Sequence, residues 1–333
     1  MDPLSQGVVG AVVPQSFAQK NTLFWATVIG FLSGLAPDLD IFIRSDIDPL
    51  LFLEYHRQFT HSLIFIPIGG FICASFFFIL LRNKIKLSFK QIWLFATLGY
   101  GTHGLLDACT SYGTLLFWPF SDYRFAWNNI SIIDPLFTIP IIILILIAAI
   151  RKNYFYSRIA LLWAILYLLC GVIINNKVLS MGKELALTRG HHIEKISAKP
   201  TFGNLLLWKV IYESNDEFYT DGIRIFPNKK IYEGVKIKKL KEDIDFRWLQ
   251  KTSQQYRDIQ RFKWFSDDHL AISPHNANLI IDARYSMLPN EISGLWGIEL
   301  KQERNENEHI KFITNRSLSK ERLLKLWTLI SIE

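Results

Sequence analysis

HSLIFIPIGGFICASFFFILL, residues 61–81, is the stretch that decides the fold class, because it has no acidic or basic side chain after His61. A helix over these residues is about 31 Å long at about 1.5 Å per residue, which matches the bilayer's hydrocarbon core of about 30 Å. The stretch therefore predicts a helix that spans a membrane.

Further apolar runs lie on both sides of this stretch. They cover residues 4–18, 22–36, 91–108, 131–150 and 156–174. The runs at 131–150 and 156–174 are long enough to cross a bilayer, whereas the first two are short and predict a tight helical pair that crosses only in part. Half of the 333 side chains are hydrophobic, and nearly all long uncharged runs precede residue 175. We expect a multi-pass α-helical membrane domain of about six apolar helices at residues 1–175.

Residues 176–333 have a different composition, because the charged residues concentrate there. Short β-rich runs such as NLLLWKVIY, EFYTDGIRIF and LWGIEL alternate with polar turns, and the helical pattern RLLKLWTLI follows them near residue 330. The predicted fold class is thus an α-helical multi-pass membrane domain followed by a soluble α+β domain.

The loops at one end of the apolar runs are basic, and those at the other end are rich in aspartate. The basic set consists of Lys20, Arg82, Lys84, Lys86, Lys90, Arg151, Lys152 and Arg158. Because cytoplasmic loops accumulate lysine and arginine, we expect this end to face the cytoplasm. With an even number of crossings, residues 176–333 would lie on the extracytoplasmic side.

Charge and cysteine content argue against two other classes of protein. The net charge is +7, but no basic stripe is interleaved with aromatic residues, so nucleic acid is not an expected partner. The three cysteines are far apart and do not predict a disulfide framework or a cysteine zinc site. The opening MDPLSQGVVG lacks the basic residues of a secretory signal.

Four polar clusters fall on the aspartate-rich end of the apolar runs. They are PDLD at 37–40, HRQFTHS at 56–62, HGLLD at 103–107 and SIIDP at 131–135. Ionisable residues in or beside membrane spans are costly and by default mark function. The candidate metal ligands among them are Asp38, Asp40, His56, His61, His103 and Asp107.

The spacing of these residues supports a metal site in part. His103 and Asp107 are four residues apart, so on a helix both point to one face. His56 and His61 are five apart and share an ion only if His56 lies in the preceding turn; otherwise they serve two ions. Histidine nitrogens mixed with carboxylate oxygens favour a divalent ion, zinc first, with manganese or iron as alternatives.

Each residue also has a structural interpretation. A single histidine at a helix mouth, such as His56, is more often interfacial or hydrogen bonded. Asp38 and Asp40 could terminate a helix, and Asp134 before Pro135 could be an N-cap. The metal hypothesis is favoured because the clusters fall on one face together.

Several motifs resemble one family. GLAPDLD, YHRQFTHSLIF, GYGTHGLLDACTSYGTLLFWPFSDYRFAW and ISIIDPLFTIP resemble inner-membrane-associated metal-dependent hydrolases, some of which are regulated by LexA. PTFGNLLLW and RYSMLPNEISGLWGIEL resemble longer members. The resemblance implies a multi-pass protein of the cytoplasmic (inner) membrane with hydrolase activity. The family opening has a histidine where this chain has Gln6.

The leading functional hypothesis is metal-dependent hydrolysis of a phosphoester or other ester at the outer face of the membrane, through a metal-activated water. Asp38 or Asp40 would act as general base, and Arg57 and Arg124 would hold an anionic group of the substrate. The expected partners are the bilayer and a lipid or phosphoester substrate.

Two alternatives come from other classes. A transporter or ion-binding protein is disfavoured because residues 64–81 and 136–150 contain no acidic or basic side chain. A noncatalytic membrane sensor that retains a degenerate site is made more plausible by Gln6. A serine nucleophile is not indicated, because the G-x-S-x-G pattern is missing.

Overall fold

The computed structural model describes residues 1–81, 84, 86–315 and 319–331, so Arg82 of the basic set lies outside the described residues. The chain divides into two compact units. The helical unit comprises Met1–Phe42, Tyr55–Ile174 and Phe202–Asn204. The β-rich unit comprises Ile43–Glu54, Asn175–Thr201 and Leu205–Glu333.

The first part of the chain is helical. Its helices are α1 (Pro3–Phe17), α2 (Leu23–Leu35), α3 (Leu51–Tyr55), α4 (Ile66–Leu81), α5 (Phe89–Cys109), α6 (Pro135–Arg151) and α7 (Phe155–Thr188). Within the described residues, three segments are long and apolar enough to cross a membrane, namely Leu23–Phe42, Leu63–Leu81 and Phe155–Thr188, and Pro135–Arg151 is a shorter apolar helix. A helical N-terminal region with candidate spans is thereby confirmed, while the number of crossings stays a prediction.

Local sequence signals explain where these helices begin. Asp134 is the N-cap of α6, and its carboxylate accepts a hydrogen bond from the backbone N–H of Phe137 at 3.3 Å. This confirms the N-cap interpretation of Asp134 and explains why the helix starts at Pro135 rather than at residue 131. Ser88 and Gln91 form a capping box at the start of α5.

The end of α7 differs from the apolar run that predicted it. The run ends at residue 174, but the helix continues to Thr188. The added residues include Lys183 and Glu184, which favour a helix although they are charged. Hydropathy therefore marks where the chain stops being apolar and not where the helix ends.

Glycines allow α1, α2 and α5 to approach closely. A Cβ atom on Gly10 of α1 would lie 2.7 Å from the carbonyl oxygen of Gly30 and 2.8 Å from the Cα of Gly34, both in α2. A Cβ atom on Gly99 of α5 would lie 2.8 Å from the Cα of Gly30. Small residues spaced four apart, as at Gly30 and Gly34, permit such packing of membrane helices. This packing brings the polar ends of α2 and α5 together.

The two ends of the helical unit differ in chemistry. At one end, Gln15 joins α1 to its neighbours, since its amide donates to the carbonyl of Ile145 at 3.1 Å and accepts from Ser157 at 2.8 Å. Lys20, Arg151 and Lys152 lie in sequence beside these residues. At the other end, the hydroxyl groups of Ser5 and Thr138 are 2.5 Å apart. The polar clusters lie at this second end, opposite the basic loops.

The β-rich unit contains two antiparallel sheets and short helices. Its elements are β1 (Lys195–Pro200), β2 (Leu207–Ser214), β3 (Glu217–Arg224), β4 (Lys230–Tyr232), β5 (Lys236–Lys238), α8 (Glu242–Asp245), α9 (Gln254–Phe265), β6 (Leu270–Ser273), β7 (Asn276–Asp282), β8 (Trp296–Glu299), β9 (Lys311–Thr314) and α10 (Lys320–Ile330). One sheet has the order β1–β2–β3–β4, with β5 also paired to β3, and the other has the order β6–β7–β8–β9. A sheet-rich region after the helices is confirmed.

The segment Ile43–Glu54 belongs to the β-rich unit although it lies between two polar clusters in sequence. Arg261 of α9 holds this segment, with its Nη2 2.8 Å from Asp48 Oδ2 and its Nε 2.5 Å from Glu54 Oε1. The ring of Phe52 packs on that of Phe312 with centroids 5.3 Å apart. Ionic and aromatic contacts together account for its place in this unit.

Candidate metal centre

Four side chains converge at the polar end of the helical unit. They are Asp38, His61, His103 and Asp107. Asp38 lies in the 3₁₀ helix Ala36–Phe42, and His61 ends the 3₁₀ helix Phe59–His61. His103 and Asp107 lie one turn apart in α5, as their spacing predicts. Three segments that are distant in sequence therefore supply one cluster.

The separations within this cluster match those of metal ligands. His61 Nε2 lies 3.4 Å from Asp38 Oδ1 and 3.4 Å from Asp107 Oδ2. His103 Nε2 lies 3.3 Å from Asp38 Oδ1 and 3.9 Å from Asp107 Oδ2. Ligands at about 2.0–2.1 Å from a tetrahedral ion are about 3.3–3.4 Å from each other. The first three separations agree with this geometry, and the fourth is longer by about half an ångström.

Three of these atoms are buried and lack a hydrogen bond. They are Nε2 of His61, Nε2 of His103 and Oδ2 of Asp107, none of which has a hydrogen-bond partner in the described part of the chain. A buried polar atom without a partner costs about 1–3 kcal/mol. Because the candidate ligand atoms of the cluster all lie within 4.8 Å of one another, a single cation could contact them together. The residues present therefore fit a divalent metal ion.

Hydrogen bonds at Nδ1 orient both imidazoles. His103 Nδ1 lies 2.6 Å from the carbonyl oxygen of Gly34, which can only accept, so Nδ1 carries the proton and Nε2 keeps its lone pair for the site. His61 Nδ1 lies 3.2 Å from Asp40 Oδ2 and 3.0 Å from the hydroxyl of Thr60. Partners of this kind fix the tautomer and ring orientation of metal-binding histidines.

Asp40 has a different environment from Asp38. Its Oδ2 accepts hydrogen bonds from the backbone N–H of Arg57 at 3.1 Å and from the hydroxyl of Thr60 at 2.7 Å. Its Oδ1 lies 2.7 Å from His56 Nδ1. Both oxygens are thus engaged by groups of the protein. The contacts of Asp40 suit a residue that orients His61 and His56.

Asp38, Asp40 and His56 form a second group that could hold an ion, and it shares Asp38 with the first. However, His56 Nδ1 lies 2.7 Å from Asp40 Oδ1, which is a hydrogen-bond distance. Two ligands of one tetrahedral ion are farther apart, at about 3.3 Å. Burial lowers the pKa of His56, against the opposing effect of its hydrogen bond to Asp40. The first group is the better metal site, and one ion per chain is the expectation.

Replacement of Asp40 by asparagine should weaken metal binding and leave the saturating stoichiometry at one ion per chain. We expect a loss of affinity of about 10–100-fold, typical of residues that orient a metal ligand. Titration with zinc followed by elemental analysis measures both quantities, with the exposed Asp46→Asn variant as control. A wild type that binds two ions and a variant that binds one would show instead that Asp40 ligates a second ion.

The two arginines expected to bind an anion occupy different places. Arg57 is buried, and its Nε lies 3.0 Å from Asp107 Oδ2 while its Nη1 donates to Thr110 at 3.2 Å. Its φ of 67° is in the left-handed region, which is uncommon for a residue other than glycine. Arg124 donates to the carbonyl of Gly113 at 3.0 Å. Arg57 therefore contacts the metal centre through Asp107, whereas Arg124 is not among the clustered residues. The substrate-binding roles of both arginines stay predictions.

Gln6 lies beside the metal centre. Its Nε2 donates to Asp107 Oδ1 at 2.8 Å, and its Oε1 is buried with no hydrogen-bond partner among the residues described. The α-amino group of Met1 also contacts Asp107 Oδ1. The side chain that departs from the resembled family pattern is thus in direct contact with a candidate ligand.

Sequence reasoning missed several supporting groups. No motif predicted that the carbonyl of Gly34 contacts Nδ1 of His103 or that the hydroxyl of Thr60 contacts Nδ1 of His61. Gly104 leaves room for the backbone of His61, because a Cβ atom there would come too close to the His61 carbonyl. The small residues at Gly30 and Gly34, spaced four apart, were the available signal for the close helix packing.

Comparison with known proteins agrees with a membrane location. The YdjM inner membrane protein family matches residues 1–178 of the 333-residue chain. The chain belongs to this family. The match covers all the residues of the metal centre and Gln6. Membership supports the inner membrane as its location, whereas the side on which residues 176–333 lie, hydrolysis and LexA regulation stay predictions.

The chain is also similar to inner membrane protein YbcI of Escherichia coli (strain K12). The two are 35% identical over 81 residues, which is 23% of this chain and 44% of YbcI. The similarity therefore spans less than half of that relative. No solved structure matches the chain.

Proposed function

We propose that the protein is a membrane-bound metal-dependent hydrolase that cleaves a phosphoester or another ester at the extracytoplasmic face of the inner membrane. The observation that carries this proposal is that two buried histidine nitrogens without hydrogen-bond partners converge with two carboxylate oxygens, at separations near those of ligands of a tetrahedral ion. Two nitrogens and two carboxylate oxygens suit zinc, with manganese or iron as alternatives.

The surroundings of the site support hydrolysis. Bound metal would polarise the scissile group and lower the pKa of a coordinated water to about 7. Asp38 is 25% exposed while the side chains of the other three ligands are fully buried, so substrate would approach from the side of Asp38. His56 is 30% exposed, and its Nδ1 contacts Asp40, which leaves Nε2 to accept a proton there. Arg57 balances the charge of Asp107.

The expected orientation follows from the charge at the two ends of the helical unit. The basic loops would face the cytoplasm, which places the metal centre at the opposite face. The apolar part of α7, residues 155–174, is about 30 Å long and begins at the basic end. The chain after α7 would therefore emerge on the extracytoplasmic side.

A turnover assay tests the proposal. The full chain, purified in detergent and supplied with zinc, manganese or iron, is incubated with phosphomonoester, phosphodiester and carboxyl ester substrates, beside His103→Ala. We expect hydrolysis that needs the metal and is absent in the variant. A metal-loaded wild type that cleaves none of the three classes would overturn the hydrolase proposal and favour the noncatalytic sensor.

Gln6 allows a gain-of-function prediction. Gln6→His is expected to raise metal affinity by about 10-fold, a change of the size that neighbours of metal ligands produce. The physical reason is that an imidazole nitrogen binds these metals better than an amide oxygen and would stand beside Asp107. Competition with a chelator measures the affinity, and Gln19→His, in the exposed loop after α1, is the control. Unchanged affinity would mean that this position does not face the ion.

A further inference from the structure

An apolar cavity of about 560 Å³ lies in the helical unit. Its lining includes Leu35, Leu39, Ile72, Phe76, Phe77 and Thr60. The first two come from the segment Leu23–Phe42 and the next three from α4. Its volume falls in the range of small-molecule sites, which is about 300–1,000 Å³.

The cavity shares a wall with the metal centre. Thr60 lines the cavity, and its hydroxyl donates to Asp40 at 2.7 Å and lies 3.0 Å from His61 Nδ1. Leu39 lines the cavity from the 3₁₀ helix Ala36–Phe42, which also carries Asp38 and Asp40 on either side of it. A molecule with a polar group at Asp38 could therefore extend an apolar tail into the cavity.

The position of the cavity identifies its occupant. Both of its main walls belong to segments apolar enough to cross a membrane. Leu39, Ile72 and Phe76 are 62%, 57% and 60% exposed, so an apolar rim opens to the surroundings of the helical unit, which in the membrane are lipid chains. Cavities lined by apolar side chains stay dry and accept hydrocarbons instead of water. An acyl chain of a membrane lipid is thus the molecule that fits.

We propose that the cavity holds an acyl chain of the substrate, so that the substrate is a membrane lipid whose ester or phosphoester group reaches the metal centre. The inference rests on the proposed hydrolase function. Hydrolysis of such a lipid consumes one water and yields an acid and an alcohol, one of which keeps the acyl chain. The metal centre would select the polar group and the cavity the apolar tail.

Two variants that fill the cavity test this inference. Cys73→Phe and Leu32→Trp each place an aromatic ring among the lining residues, while Ile68→Phe changes an exposed residue of α4 outside the lining. Binding of palmitoyl-oleoyl phosphatidylglycerol to the delipidated full chain is counted by native mass spectrometry. We expect lipid affinity to fall at least 10-fold in the filled variants and to stay unchanged in Ile68→Phe. Metal content should be unchanged in all three.

Measurements of turnover distinguish two negative results, namely the absence of an acyl-chain site and the absence of hydrolase activity. Hydrolysis of palmitoyl-oleoyl phosphatidylglycerol is compared with that of water-soluble dibutyroyl phosphatidylglycerol, which has the same head group. The filled variants should lose at least 10-fold in kcat/KM for the long-chain lipid only. Equal lipid affinity in filled and wild-type protein overturns the acyl-chain site even if turnover persists. Lost lipid binding in a metal-loaded protein without turnover supports the site and overturns the hydrolase.

Discussion

Replacement of His61 or His103 by alanine is expected to remove the metal ion while the protein stays folded. Each histidine supplies one of four converging atoms, and each Nε2 is buried within 3.4 Å of Asp38 Oδ1. Loss of a ligand should reduce affinity by more than the about 10–100-fold that loss of an orienting partner causes. Elemental analysis of detergent-purified protein should show about one ion per wild-type chain and almost none in either variant.

Two histidines outside the cluster provide matched controls. His275 and His309 lie in the β-rich unit, and His309 contacts Asp258 there. His275→Ala and His309→Ala should keep the full metal content. Metal retained by both His61→Ala and His103→Ala would contradict the site, as would a folded wild type that takes up no metal when zinc, manganese and iron are supplied.

Local pattern was enough to predict much of the helical unit. The apolar runs coincide with helices, and the spacing of His103 and Asp107 places both on one face of α5. Such features depend on neighbours within one turn, which a sequence displays directly. The end of α7 could not be predicted in this way, because the apolar run stops at residue 174 while residues with good helix propensity continue to Thr188.

The sequence PDLD does not show that Asp38 and Asp40 have different roles. Both are carboxylates two residues apart, yet Asp40 accepts hydrogen bonds from Arg57 and Thr60, whereas Asp38 faces His61 and His103. These partners are brought in by close helix packing and by the left-handed backbone of Arg57. Residue type was therefore enough to predict that both aspartates could bind a metal ion. The separate roles of Asp38 and Asp40 became visible only from their contacts in the structure.

The second large effect is expected at Asp107, where a ligand is also the partner of a buried cation. Asp107→Asn should abolish metal binding and also lower the free energy of unfolding by about 3–5 kcal/mol, the cost of leaving one member of a buried ion pair without its partner. Arg57 Nε lies 3.0 Å from Asp107 Oδ2, and both side chains are nearly inaccessible. Asp38→Asn removes a ligand that is 25% exposed, so it should abolish metal binding with a much smaller loss of stability.

The comparison has to be made in the presence of a chelator, because bound metal stabilises the folded state by itself. Denaturant unfolding in detergent of wild type, Asp107→Asn and Asp38→Asn then reports only the protein's own contacts. The double variant Asp107→Asn/Arg57→Met should recover part of the lost stability, since it removes the unpaired guanidinium along with its partner. Equal destabilisation by Asp107→Asn and Asp38→Asn would mean that the pair between Arg57 and Asp107 contributes nothing, and Asp107 would then serve the metal alone.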